Sequence, residues 1–339
     1  MTTPEFRLRA TDDVDLIAIV PYLLGFHPAD SLVTIGVDEG RVQLTTRVDL
    51  PPTTEDASTE PFLHTAERTA AQIAATSFEA IVIGYGSADR IAAAARPLAA
   101  ALTAAGVALR RMIRVDDHRY YCVTPGCIKC PPEGTPYSVA KSQLPAQATY
   151  AGMVVLPSRD SLDELIAPVT GPEQERMHVA SLTALRHLAT RLPAEDRNAV
   201  SAVPAELLTE GKHAVDDALH AAADGQPLSD EAAAMLHAFL LIPPVRDYAA
   251  AACDGSSAQR ALWTDLTRRA EPDLAAAPAS LLALTAYLGG NGALARVALQ
   301  RALTAEPDYR IAHLLDDVLS TGIHPNELRR FTNTRNDNR

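Results

Sequence analysis

Three of the four cysteines, Cys122, Cys127 and Cys130, fall within nine residues, in "CVTPGCIKCPPEGTP". Cys-x-x-Cys is a metal-knuckle spacing, because it lets two thiolates converge on one ion. No fourth ligand stands in the loop itself. His118 is near in sequence and Cys253 far, so the candidate structural-zinc set is Cys122, Cys127, Cys130 and His118. The same spacing matches the first three ligands of plant-type ferredoxins, but the nearby fourth cysteine and the small-residue cradle are missing. Thiols that carry no metal are the remaining alternative.

A second set lies at the start of the chain, where "PYLLGFHPADSLVTIG" reads as a helix end, a sharp turn and a buried strand. His27, Asp30 and Ser31 sit in that turn, and Arg47 and Asp49 follow in "RVQLTTRVD". Two carboxylates and a histidine can hold a divalent cation or do acid/base work. Arg47 instead favours an anionic ligand. The structural alternative is that the aspartates cap turns, Arg47 neutralises both, and His27 shapes the bend before Pro28.

The elements that position these residues follow from hydropathy and turn signals. "VDLIAIV" is a helix capped by Thr11 or Asp12, with Pro21 kinking or restarting it and Gly25 ending it. "SLVTIGV" and "RVQLTTRVD" form a hairpin about Glu39 and Gly40. The expected register sets Val37 opposite Val42, Ile35 opposite Leu44 and Val33 opposite Thr46 on one apolar face, with Asp30 opposite Asp49 on the other. Helices "EPFLHTAERTAAQIAA" and "SADRIAAAARPLAAALTAAG" then separate the strands "EAIVIGYG" and "VALRRMIRV", and "HRYYCV" follows.

Helical crossovers of this length connect parallel strands, so three strand carboxyl ends share one edge. That edge gathers Arg47, Asp49, the Gly84–Ser87 loop and residues 116–118, and the hairpin brings His27 and Asp30 there too. Ligands of open α/β sheets bind in such a crevice, and Ser87 at a helix start offers free N–H groups to an anion. The last strand runs back, so the cysteines emerge at the other end of the sheet, where a staple fits better than an active site.

The fold class is therefore an α/β domain with a mixed, partly parallel sheet, residues 1–166, followed by an all-α domain, residues 175–325, and a polar tail, 326–339. Residues 167–174, "APVTGPEQ", form the linker. In "LLALTAYLGGNGALARVALQRALTAEPDY", Ala283, Gly290, Asn291, Ala295, Ala302 and Pro307 fall at tetratricopeptide spacing. One repeat cannot bury its own face, so this hairpin docks on the helical domain. Arg246 and Asp247 follow an apolar helix, as a local ion pair or as groups closing the crevice from the second domain. Ser138 and Lys141 match S-x-x-K without its partner motifs, and Gly84 with Gly86 lacks the third glycine of a dinucleotide fingerprint.

A net charge of -12 and a pI near 5.3 argue against nucleic acid and anionic membranes as partners. No apolar run approaches the ~18 residues of a spanning helix, and no leader is evident, so a cytoplasmic protein is expected.

Together "PYLLGFHPADSLV", "RVDLP", "CPPEGTP", "VRD" and the terminal "LLALTAYLGGNGALARVALQRAL" resemble an uncharacterised actinobacterial family, domain of unknown function 4192, over nearly the whole chain. The resemblance implies a cytoplasmic bacterial protein whose motif residues include His27, Arg47, Asp49, Arg246 and Asp247. That family often has two adjacent cysteines before the proline, whereas Ile128 and Lys129 separate Cys127 from Cys130 here. The family carries no established activity, so enzyme or non-enzyme stays open. The preferred function is binding of a small polar or anionic ligand by His27, Asp30, Arg47, Asp49, Ser87, Arg246 and Asp247. The alternative is an interaction or regulatory protein that docks a protein partner on its C-terminal helices.

Overall fold

The computed structural model describes residues 8–124, 127–128, 130–192, 203–321 and 328. The chain divides into two units, residues 1–159 and 160–339.

The first unit is built on a six-stranded mixed sheet. Its elements are α1 (Asp13–Leu24), β1 (Ser31–Asp38), β2 (Arg41–Asp49), α2 (Glu60–Ala74), β3 (Glu79–Tyr85), α3 (Ala88–Ala104), β4 (Ala108–Val115), β5 (Arg119–Cys122), β6 (Thr135–Pro136) and α4 (Leu144–Tyr150). The strand order is β2-β1-β3-β4-β5-β6. β1 is antiparallel to both neighbours, and β3 is parallel to β4. Hence β2, β3 and β4 point the same way, as the helical crossovers require.

β1 is buried along its whole length bar Asp38, because it is central and covered on both faces. One face carries Leu32, Ala80, Val82 and Met112 and packs on α2 and α3 through Ala66, Ile73, Ile91 and Leu98. The other carries Val33, Ile35, Ile83 and Ile113, each no more than 1% exposed. Arg111 lies on that face and pairs with Asp13 at the start of α1, which places α1 over it. α1 runs unbroken through the buried Pro21. Asp12 caps its start and Gly25, at φ 82°, ends it.

The hairpin turns at Glu39 and Gly40, both with positive φ (47° and 74°), the signature of a two-residue type I′ loop. The expected register holds next to the turn, where Val37 pairs with Val42. It then slips by one. A bulge leaves Gln43 without an opposite residue, so Gly36 pairs with Leu44, Ile35 with Thr45, Val33 with Arg47, and Ser31 with Asp49. The slip turns Leu44 and Val48 onto the α2/α3 core, and Arg47 and Asp49 onto the α1 face. Asp30 is therefore not opposite Asp49 but one residue beyond the ladder. An edge strand tolerates such a bulge because only one side must keep its pairing.

The second unit is helical: α5 (Asp160–Leu165), α6 (Pro172–Arg191), α7 (Ala205–Ala223), α8 (Asp230–Leu240), α9 (Pro243–Ala251), α10 (Ser257–Arg269), α11 (Ala276–Leu288), α12 (Gly292–Ala305) and α13 (Arg310–Thr321). Residues 167–174, read as a linker, include Val169, whose N–H bonds to Arg268 O, and the first turn of α6. All thirteen residues of α11 are buried, as expected of a helix that is apolar all round. It packs against α12, Ala283, Ala295 and Ala302 of the pair are all 0% exposed, and Asn291 caps α12. This hairpin is thus the centre of the unit's core. No helix among the described residues is long and apolar enough to cross a membrane.

Candidate functional site

The carboxyl ends of β2, β3 and β4 meet at one edge. Ser31 is flanked in register by Asp49 on one side and Tyr85 on the other, and Tyr85 pairs with Val115. The turn through His27 and Asp30, the exit of β2, the Gly86–Ser87 loop and residues 116–118 therefore share that edge.

Asp30 sits in the left-handed region at φ 41°, a conformation that costs a non-glycine residue roughly 1 kcal/mol. Two bonds hold it there. Its carbonyl accepts from Leu50 N at 2.8 Å, and its carboxylate accepts from Arg90 at 2.6 Å. Arg90 also donates to Pro51 O at 3.0 Å and Leu50 O at 3.4 Å, tying the β1 turn to the β2 exit. Gly86, at φ 137°, crosses so close that a Cβ there would lie 2.8 Å from Leu50 and 3.2 Å from Asp30 Oδ1.

Arg47 lies on Asp49 at 2.7 Å, donates to Ala29 O at 3.1 Å, and stacks over Phe26. Arg159 approaches the other oxygen of Asp49 at 3.3 Å. Three guanidinium groups thus serve two carboxylates. The aspartate side chains are exposed (63% and 62%), whereas those of Arg47 and Arg90 are largely covered (14% and 27%).

Three further donors lie on the α1 face of this edge. Ser31 Oγ, Tyr85 OH and Arg47 Nε are buried and have no hydrogen-bond partner among the described residues. Burial holds the Tyr85 hydroxyl well above its ordinary pKa, so it stays protonated. Ser87 begins α3, but its side chain makes no capping bond.

His27 is exposed at this edge. Its backbone N–H bonds to Leu156 O, and its ring makes no bond to either aspartate. Arg246 and Asp247 belong to the second unit. There they pair with each other at 3.0 Å, and Arg246 stacks over Tyr309. The only group of three or more His, Cys, Asp or Glu side chains arranged to share a metal ion, among the described residues, is the thiol triad.

In the triad, the ligand atoms of Cys122, Cys127 and Cys130 lie within 4.8 Å of one another, with Cys127 and Cys130 Sγ 3.4 Å apart. β5 runs back from the edge, and Cys122 pairs with Ile113, so the thiols gather away from the strand ends. His118, expected as a fourth ligand, is not in this group. It stays at the opposite end of β5, with its N–H on Asp116 and its carbonyl accepting from Tyr137.

Arg111 takes the place beside the thiols, donating to Cys122 Sγ at 3.5 Å and Cys130 Sγ at 3.4 Å. Asp13 fixes it through both carboxylate oxygens and holds it firmly protonated. The guanidinium pulls the Cys130 pKa down, but sharing hydrogen bonds with Cys127 and Cys122 outweighs it and leaves that thiol above its usual value.

Against this geometry, the family described as a domain of unknown function (DUF4192) matches residues 14–326. The chain belongs to the DUF4192 family. No curated protein and no solved structure matches it. The match covers both units of this DUF4192 protein, so the strand-end edge, the thiol triad and the α11–α12 hairpin all fall inside one family segment.

Arg90, Arg159, Arg111 and Asp13 escaped the sequence reading. Two had a signal. Arg90 is a cation in the first turn of a helix, the wrong end for the dipole, which asks for a carboxylate partner. Arg111 alternates with Ile113 and Val115, so it is a charge on a strand's buried face.

Proposed function

We propose that the α/β unit binds a small anionic ligand at the strand-end edge, with Arg47, Ser31 and Tyr85 as its principal donors. The observation that carries this reading is the set of three buried, unpartnered groups, Ser31 Oγ, Arg47 Nε and Tyr85 OH, on one face of that edge. Each is able to donate, and each unmet donor costs roughly 1–3 kcal/mol, which a ligand's acceptor oxygens would recover. The three guanidinium groups gathered about Asp30 and Asp49 support the same sign of ligand. The uncapped start of α3 at Ser87 adds N–H groups of the same polarity. Asp30 and Asp49 act as exposed, replaceable partners that keep Arg90 and Arg47 oriented in the free protein.

Thermal shift tests this directly. Inorganic phosphate and a small dicarboxylate are expected to raise the Tm of the wild type, and the rise is expected to vanish in Arg47→Ala and Tyr85→Phe. Equal stabilisation of wild type and variants by every anion tried overturns the reading.

A second reading concerns the thiols, and the convergence of three Sγ atoms favours it. Cys122, Cys127 and Cys130 hold a structural zinc that pins the loop after β5 to β4. Thiolates kept available for a metal fit a reducing compartment, hence the cytoplasm. Elemental analysis is expected to give about one zinc per chain, lost on Cys127→Ser; a metal content near zero in freshly reduced protein overturns it.

A further inference from the structure

We propose that the thiol triad is an open soft-metal site, in which three sulfurs bind a divalent thiophilic cation and the fourth position belongs to a small neutral ligand from solution. This rests on the zinc reading above and goes further, because it names the coordination state and the class of molecule that completes it.

Among the described residues, the nearest candidates for a fourth ligand in sequence or type are already engaged elsewhere. Cys253 is in the other unit, half-buried, with its thiol on Ala249 O and accepting from Thr285. His118 is held at the far end of β5. Asp13, linked to the thiols through Arg111, has both oxygens engaged by that guanidinium. Among the described residues no imidazole or carboxylate joins the three sulfurs. A closed structural zinc site has four protein ligands, whereas one with three leaves room for water or an added ligand. Cys127 is exposed, so that room is reachable from solvent.

Charge selects the cation and its visitor. Three thiolates on a divalent ion leave one net negative charge, and a single guanidinium, donating to Cys122 and Cys130, offsets it. A monovalent ion would leave two negative charges against one cation. The residual balance is near zero, which favours a neutral fourth ligand such as water or imidazole over an anion. Arg111 is thus a positioning residue: it holds two sulfurs in place without touching the metal.

Cobalt(II) titration of the full, freshly reduced chain reads this out. One equivalent is expected to give a thiolate-to-cobalt charge-transfer band, and imidazole is expected to shift the ligand-field bands. Cys127→Ser removes the charge-transfer band's tight, one-equivalent character, while His118→Ala and Cys253→Ser leave the spectrum unchanged. Arg111→Ala is expected to weaken cobalt binding roughly 10–100-fold with the same spectrum, and Arg111→Lys to recover most of the loss. No charge-transfer band, or a Cys127–Cys130 disulfide in its place, overturns both the zinc reading and this one. A band that imidazole leaves unmoved, or that His118→Ala alters, overturns the open position alone. An affinity untouched by Arg111→Ala overturns the role given to that residue.

Discussion

The strand-end edge and the thiol triad stand on the same sheet, yet their charges are arranged in opposite ways. At the edge Asp30 and Asp49 each already have a guanidinium, and Arg47, Arg90 and Arg159 each a carbonyl or carboxylate. What is unmet there is neutral hydroxyl and one N–H, buried on the inner face. At the triad three sulfurs converge and a lone guanidinium leans on two of them. The difference teaches where each region can gain free energy. On the proposed readings the edge would gain by acquiring acceptors for its unmet donors, and the triad by acquiring a cation.

The largest expected effect breaks that contrast most directly. With zinc at a thousandfold excess over its Kd, the α/β unit is expected to gain ~4 kcal/mol, measured by denaturant titration with and without chelator. An edge variant such as Arg90→Ala should leave that increment intact. Loss of it would show that the two regions are one cooperative site.

Next comes a buried polar group in neither region, which calibrates both. His237, in α8, bonds to Leu266 O through Nε2, and burial first, then the charge of Arg269, pushes its pKa down to about 4. A depressed histidine binds its proton more weakly folded than unfolded. Its contribution is therefore complete above pH ~6.5 and is lost as pH falls toward 4, amounting to ~3 kcal/mol across that window. Replacing His237 by Gln is expected to flatten this acid limb for the helical unit's unfolding while leaving the imidazole response of the triad unchanged.

A smaller effect sharpens the reading of the edge. Arg90→Ala removes one charged and two carbonyl bonds from a largely covered side chain, so a loss of ~2 kcal/mol is expected by urea unfolding. Asp49→Asn, at an exposed pair, should cost under ~1 kcal/mol, and less in high salt. If Asp49→Asn proves as costly as Arg90→Ala, Asp49 is not the replaceable partner proposed for it.

How far the sequence could be read depended on the range of the interaction. Co-direction of β2, β3 and β4 was legible because crossover helices impose it, and with it the sharing of one edge by Asp30, Asp49 and Ser87. The bulge at Gln43 was not, since no local residue announces a one-residue slip; it is settled by which face of β2 finds α2. That slip decided which side Arg47 faces, and so which donors it joins.

The metal set divides in the same manner. Cys-x-x-Cys spacing alone brought Cys127 and Cys130 together, because two intervening residues leave their sulfurs little choice. His118 looked equally near along the chain, but β5 is extended and carries it away, at about 3.3 Å per residue. Only the fold put Arg111 and Asp13, 98 residues apart, beside the thiols. Sequence by itself thus determined which donors exist and which helices turn the strands one way. Tertiary structure decided their partners, because charge pairing acts across space between segments whose separation along the chain carries no trace of it.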